Sequence, residues 1–457
     1  MKKIQHRAFV ACILALALCA GLGFFVFRWC TRGTSWASSP FNRHLYNTAG
    51  QLSSGSVLDR NGSVLSSDTG GKRTYSGDAE VRKATLHAVG DLQGNIGTGA
   101  LNAFAGKMTG FNLVNGAYSA RSGSKLYLTL NTRLNVAAYR ALDGRKGTVA
   151  VYNYKTGEIL CMVSTPTYDP VNVPSDIATN DAYKGAYINR FLSSSFTPGS
   201  VFKTVTVAAA LEQLPNAQTR TWTCHRSVMI NGQKITCTGY HGTQTLKQAL
   251  ANSCNVAFAE IADELGADTL KSYTEKAGLT KSYSIDGIST ARGTFDFDGI
   301  SKDQLGWAGI GQYKDRVNPC SLMIYMGAIA GGGSAKVPYL VSKIMSPLGF
   351  RKSIHVSRDT DVLISSSTAA AVADMMANNV KRTYGTARFP NMDLCAKSGT
   401  AEVGHGKRPN AWFAGFLRNP DKPYAFVVMV ENGGAGPSVA GTVAGKVLTA
   451  AVNAGGR

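Results

Sequence analysis

The chain has 457 residues, 44% of them apolar, with aromatic residues throughout and a formal charge of +20. That length exceeds one small core and fits about two domains, and the composition excludes a disordered or fibrous chain. The basic excess suits anionic lipid headgroups or anionic wall polymers as neighbours, or plain solubility, and no dense Lys/Arg block argues for nucleic acid.

Residues 1–7 are short and basic. Residues 8–27 then carry no charge, and Arg28 closes the run. That is enough apolar helix to span a bilayer. The positive flank predicts a cytoplasmic tail over 1–7, a single-pass anchor over 8–27, and the bulk of the chain outside the cell membrane. This placement argues further against a nucleic-acid partner. A cleaved signal peptide is the competing reading, but the apolar run is long for one and no small-residue cleavage site follows it. Cys19 follows Leu18, which argues against a lipoprotein site.

Residues 28–130 are polar and rich in Gly, Ser, Asn and Thr, with β-like runs at 56–58 and 125–130. They read as a stalk or small membrane-proximal domain. A second domain is expected over 131–457. Asn131-Thr132 caps a helix whose apolar positions are Leu134, Ala137, Ala138, Ala141 and Leu142, and Asp143-Gly144 ends it. Strands follow at 148–154 and 158–163, around a turn at Lys155-Thr156-Gly157. Ala-rich helices occupy the middle. Strands are expected again at 412–417 and 424–430, and a closing helix after Pro437-Ser438 places Val439, Val443, Val447 and Ala451 on one side. Periodicity alone gives an α+β protein.

The chemistry gathers around Pro198-Gly199-Ser200-Val201-Phe202-Lys203. Pro-Gly breaks the chain, and the apolar run after it is helical in length and Ala content. Ser200 therefore sits at a helix N-terminus, with Lys203 one turn on and within reach of its hydroxyl. A serine needs a neighbouring base to become a nucleophile, and a lysine serves once burial and charge lower its pKa. The helix N-terminus adds N–H groups suited to an oxyanion. Ser-x-x-Lys alone is a weak signal, and Ser122-Gly123-Ser124-Lys125 is a decoy in a polar segment.

Order strengthens Ser200. Ser253-Cys254-Asn255 follows it, and Lys397-Ser398-Gly399-Thr400 comes later, just before the strand-like 411–416. The second Lys-Thr-Gly, at 155–157, precedes the serine and is rejected on that ground. Ser-x-x-Lys, Ser-x-Asn and Lys-Thr/Ser-Gly in this order form the three-motif signature of penicillin-binding proteins and serine β-lactamases. Further matches are Asp59-Arg60-Asn61-Gly62, Asn189-Arg190, Phe196-Thr197 before Pro198, and Gly309-Ile310-Gly311-Gln312. Together they cover most of residues 50–450, and the chain resembles the monofunctional, class B penicillin-binding proteins.

The resemblance implies a five-stranded antiparallel sheet with helices on both faces, and a peptidoglycan D,D-transpeptidase. In that role Ser200 attacks the penultimate D-Ala carbonyl of a D-Ala-D-Ala stem peptide, Lys203 is the base, and Ser253 relays the proton to the leaving amine. Asn255 binds the substrate amide, Lys397 and Thr400 bind the substrate carboxylate or assist proton transfer, and Ser398 and Gly399 complete the substrate-binding set. The N–H groups of Ser200 and Thr400 form the oxyanion hole. β-Lactams are the implied inhibitors, and a polytopic membrane glycan polymerase the implied partner. No metal or other cofactor is implied. Ser398 replaces the commoner Thr, Cys254 fills the middle of Ser-x-Asn, and Tyr313 and Asn318-Pro319 depart from the usual run after Gly-x-Gly-Gln. Two rival classes remain: a carboxypeptidase or β-lactamase handing the acyl group to water, and a catalytically weak scaffold of a wall-synthesis complex.

Nine cysteines divide by context. Cys12, Cys19 and Cys30 lie in or beside the apolar span, and Cys161, Cys254, Cys320 and Cys395 read as packed thiols. Cys224 and Cys237 flank a hairpin turn at Asn231-Gly232, with Cys237 opposite Arg226, so a disulfide between the two cysteines is one expectation. A zinc site built with His225 and His241 is disfavoured by spacing.

Overall fold

The computed structural model describes residues 2–37, 55–69, 72–109, 111–112, 116–117, 123–347, 349–404 and 406–454. Ser122 of the decoy motif lies outside them.

Helix α1, Lys2–Ala37, runs unbroken from the basic start through the apolar stretch. Lys2–Arg32 is long and apolar enough to cross a membrane by length and composition, and the window that meets this test is not buried in the protein. A six-stranded sheet follows, in the order Arg351–Ile354, Val341–Met345, Lys125–Leu128, Ser56–Leu58, Val64–Thr69, Lys72–Tyr75. Both β-like runs read from sequence are its central strands, paired parallel. Two of its strands come from 341–354, so the sheet spans the division expected at residue 130.

Asp59 explains the Asp-Arg-Asn-Gly turn. Its buried carboxylate accepts from the N–H groups of Asn61 (2.9 Å) and Ser63 (2.8 Å), and from the Thr132 hydroxyl (2.7 Å) at the start of α2, Thr132–Leu142. Asn131 caps α2 and Asp143 ends it in the left-handed conformation, as read from sequence. Arg82 adds a second tie, gripping Asp169 through two bonds of 2.7 and 2.6 Å.

The main sheet has five antiparallel strands: β1 Gly147–Asn153, β2 Ile159–Thr165, β3 Leu394–Ala401, β4 Asn410–Leu417 and β5 Tyr424–Val430. Their spatial order is β3-β4-β5-β1-β2. The rejected Lys155-Thr156-Gly157 is the β1–β2 turn, where Asn153 Oδ1 accepts from the N–H groups of Lys155 (2.9 Å) and Thr156 (3.0 Å). Every residue of β4 is buried, because both faces of the sheet are covered. On one face lie α2 and the closing helix Ala440–Ala454, packed with Val149, Val151, Phe413, Phe426 and Val428. The other face carries α3 Lys203–Gln213, α4 Asn255–Leu265, α5 Pro319–Ala330 and α6 Ser366–Asn379. The catalytic motifs lie on this second face.

The hairpin at Asn231-Gly232 forms as expected, with Cys237 N–H bonded to Arg226 O. The expected Cys224–Cys237 disulfide does not form, and both thiols are free. Cys224 belongs to a different ribbon, Thr221–Cys224, where it pairs with Gly242. The chain turns at Arg226 (φ 71°) before the hairpin begins, so the two cysteines sit on different ribbons, with their sulfurs within 4.8 Å but not bonded.

Candidate active site

Ser200 lies in a single 3-10 turn, Gly199–Val201, that leads directly into α3. This turn is pressed against the end of β3. A Cβ on Gly399 would lie 2.7 Å from Pro198 O, so the third motif needs glycine there for a close backbone approach. Gly311, at φ +82°, accepts the Gly199 N–H through its carbonyl (2.8 Å), and a Cβ on it would lie 2.1 Å from Gly199 O. The Gly309–Gln312 loop is therefore the seat of the nucleophile turn.

Lys203 is fully buried, and its amine is held by the second motif. It donates to Ser253 O (2.7 Å), to Asn255 Oδ1 (2.8 Å) and to Ser253 Oγ (3.5 Å), and sits over the Phe258 ring. Among the described residues none of its hydrogen bonds reaches the Ser200 hydroxyl, unlike the pairing read from i,i+3 spacing. Burial lowers its pKa to about 7. Ser253 holds a left-handed backbone (φ 53°), which turns its carbonyl and hydroxyl together toward the lysines.

Lys397, also fully buried, donates to Ser253 Oγ (3.0 Å) and to Ser398 O (2.9 Å). Burial, and then the neighbouring Lys203 charge, hold it well below an ordinary lysine. The two amines thus share one hydroxyl. Two buried ammonium groups this close repel, so charge on one suppresses charge on the other.

The remaining sequence candidates fall into place unevenly. Asn255 turns its Oδ1 to Lys203 and its Nδ2 to Thr236 O (3.0 Å). Thr400 is exposed at the end of β3, and its Oγ1 accepts the Gly436 N–H. The Ser398 hydroxyl departs from expectation. It alternates to the opposite face of β3 and accepts from Tyr384 OH (3.0 Å), which itself takes the Ser398 N–H (2.8 Å). Sequence reasoning missed Tyr384 and also Trp412, whose Nε1–H holds Thr197 O (2.9 Å) beside the nucleophile turn. Nothing local to either residue marks it.

A serine on a helix-opening turn, two buried lysines bridged by a second serine, and an antiparallel sheet edge beside them define a serine acyltransferase fold. Comparison with known proteins makes this specific. Residues 147–449 match the family model described as the penicillin-binding protein transpeptidase domain. Peptidoglycan D,D-transpeptidase PbpA of Mycolicibacterium smegmatis is 30% identical over 336 residues, 68% of each chain. Among solved structures, the D,D-transpeptidase domain of a peptidoglycan glycosyltransferase from Eggerthella lenta superposes with a TM-score of 0.76 at 26% identity, covering 88% of this chain and 99% of that one. PBPA of Mycobacterium tuberculosis matches with a TM-score of 0.76 at 25% identity and the same coverage. That mycobacterial protein has also been solved as a penicillin G acyl-enzyme complex. The chain belongs to the penicillin-binding protein transpeptidase family, in its class B branch.

Proposed function

We propose that this protein crosslinks peptidoglycan stem peptides through a Ser200 acyl-enzyme and is acylated at the same serine by β-lactams. The observation that carries the reading is the chain Lys203–Ser253–Lys397 beside the Ser200 turn.

Ser200 Oγ attacks the penultimate D-Ala carbonyl, and its proton passes to unprotonated Lys203. A pKa of about 7 leaves a substantial neutral fraction at neutral pH. Catalytic hydrogen bonds of this kind often tighten only around substrate, which accommodates the present hydrogen bonds of the Lys203 amine to Ser253 and Asn255. Ser253, in contact with both amines, carries the proton to the departing D-Ala nitrogen, and Lys397 supports the exchange. The N–H groups of Ser200 and Thr400 receive the oxyanion. Asn255 contributes by fixing Lys203, with the substrate amide as a further partner. Gly399 lets the Ser200 turn approach β3, and Thr400 and Lys397 supply the surface for the substrate carboxylate. An amine of a neighbouring stem then takes the acyl group. A β-lactam enters as a D-Ala-D-Ala mimic.

Helix α1 is the membrane anchor in this reading, with residues 1–7 cytoplasmic and the catalytic domain outside the cell membrane. The family match covers the transpeptidase domain. A polytopic membrane glycan polymerase is the proposed partner.

The test is a fluorescent penicillin incubated with the full chain and with Ser200→Ala, followed over time. Persistent label on the wild type and none on the variant is expected. Label that is lost within seconds identifies a hydrolase, and absence of label on folded protein points to the scaffold.

A further inference from the structure

At the Ser253–Asn255 motif, four metal-ligating side chains to which the acyl-transfer reading gives no role converge: Cys224, Cys237, His241 and Cys254. Their ligand atoms all lie within 4.8 Å of one another. We propose that they form a structural zinc site that clamps the Ser253–Asn255 loop in its working conformation.

The distances fit one ion. A tetrahedron with Zn–S about 2.3 Å and Zn–N about 2.0–2.1 Å has S···S edges of about 3.8 Å and S···N edges of about 3.5 Å. Cys237 Sγ lies 3.9 Å from Cys254 Sγ and 3.6 Å from His241 Nδ1. A disulfide would require about 2.05 Å between sulfurs. The set is Cys3His, a common closed structural zinc arrangement.

The surroundings suit thiolates. The Asn255 N–H points at Cys237 Sγ (3.3 Å) and the Ala257 N–H at Cys254 Sγ (3.5 Å). Such N–H···S contacts orient metal-bound sulfurs and temper their charge. Cys224 and Cys254 are fully buried, which shields the site from oxidants in the compartment proposed for this domain.

The placement gives the site a purpose. Cys224 ends the strand Thr221–Cys224, Cys237 follows the hairpin strand Gln233–Thr236, and His241 precedes Gly242–Thr245. These are two-stranded ribbons, which are marginal alone. Cys254 is the N-cap of α4 and stands between Ser253 and Asn255. One ion therefore ties the ribbon module to the loop that receives the Lys203 and Lys397 amines. Spacing argued against zinc because it paired the histidines with Cys224 and Cys237 alone; the fourth ligand is Cys254, inside a catalytic motif, and His225 is not among the four.

The metal assignment stands apart from the proposed reaction, and the experiment separates the two. The full chain, purified in detergent without chelator, is analysed for metal by plasma mass spectrometry. About one zinc per chain is expected. Cys237→Ser and His241→Ala lose it, while His241→Cys, which restores four ligands, keeps it. Cobalt(II) substitution of the wild type yields a thiolate-to-metal charge-transfer band. Stripping zinc from the wild type slows fluorescent-penicillin labelling about tenfold or more, and zinc restores it. Wild-type protein without zinc, or with a disulfide among these cysteines by intact mass, overturns the assignment even if the variants fail to fold. Zinc present with unchanged labelling after its removal overturns the clamping role.

Discussion

Ser200, Lys203, Ser253 and Lys397 are separated along the chain by up to nearly two hundred residues, yet the fold joins Lys203, Ser253 and Lys397 by hydrogen bonds beside the Ser200 turn, and the proposed proton path runs through them. Lys203→Met removes the base and leaves Asn255 Oδ1 and Ser253 O without their donor; labelling by penicillin falls about 10²–10⁴-fold while the fold persists. Burial sets the Lys203 pKa at about 7, with Lys397 and the thiols Cys237 and Cys254 as its titratable neighbours. The reactive form is the neutral amine, so the acylation rate rises with pH through about 7 and levels off above it. A flat stopped-flow profile between pH 5 and 9 would exclude Lys203 as base. Ser398→Ala tests the reassigned hydroxyl: it breaks the contact with Tyr384 and costs about 1 kcal/mol of stability, while leaving the second-order acylation constant within about threefold. The residue types were legible in the sequence, since three ordered motifs named Lys203, Ser253 and Lys397, which the fold joins by hydrogen bonds. Direction was not. Helical spacing puts Lys203 beside Ser200 but says nothing of the Ser253 carbonyl and Asn255 amide that claim its amine, and strand alternation in Lys-Ser-Gly was overlooked for Ser398.

At the scale of elements, the site depends on backbones that approach too closely for a side chain. The 3-10 turn of Ser200 is wedged between β3 and the Gly309–Gln312 loop. Gly311→Ala places a Cβ 2.1 Å from Gly199 O at a positive φ, so it destabilises the protein by about 3 kcal/mol. Thermal melting measures the loss, and acylation falls with it because the nucleophile turn must move. The sheet itself was readable: all four strands expected in the domain formed, and both terminal helices began within a few residues of their caps. β3 was not read as a strand, because its lysine and paired small residues lack an apolar period. The ribbon of Thr221–Cys224 with Gly242–Thr245 was equally obscure, and only the N-cap geometry of α4 brings Cys254 to it.

Across the whole molecule, the described residues between 55 and 130 are tied to the transpeptidase domain rather than tethered to it. Asp59 bonds Thr132, Arg82 grips Asp169, and strands from 341–354 complete the first sheet. The Arg82 guanidinium holds the Asp169 carboxyl at about 2, below the usual range. A depressed carboxylate stabilises the fold above its unfolded pKa of about 4, and that stability is lost as pH falls through about 2. Arg82→Gln therefore costs about 1 kcal/mol at neutral pH, since the Val171 N–H and Asn172 still hold the carboxylate and solvent screens the pair, and the gap in melting temperature from wild type closes between about pH 4 and pH 2. A gap that stays constant through that range would show that the pair does not couple the regions electrostatically. Composition gave about two domains and an anchor-like helix, but a sheet assembled from strands more than two hundred residues apart leaves no local signal.

The measurement that bears most directly on the central claim is product analysis with a synthetic pentapeptide stem ending in D-Ala-D-Ala, supplied with an amine-bearing acceptor stem and the full chain. D-Ala release accompanied by a crosslinked dimer, both abolished in Ser200→Ala, is the predicted result. D-Ala release with only the hydrolysed tetrapeptide, at saturating acceptor, would contradict a transpeptidase and make the protein a carboxypeptidase.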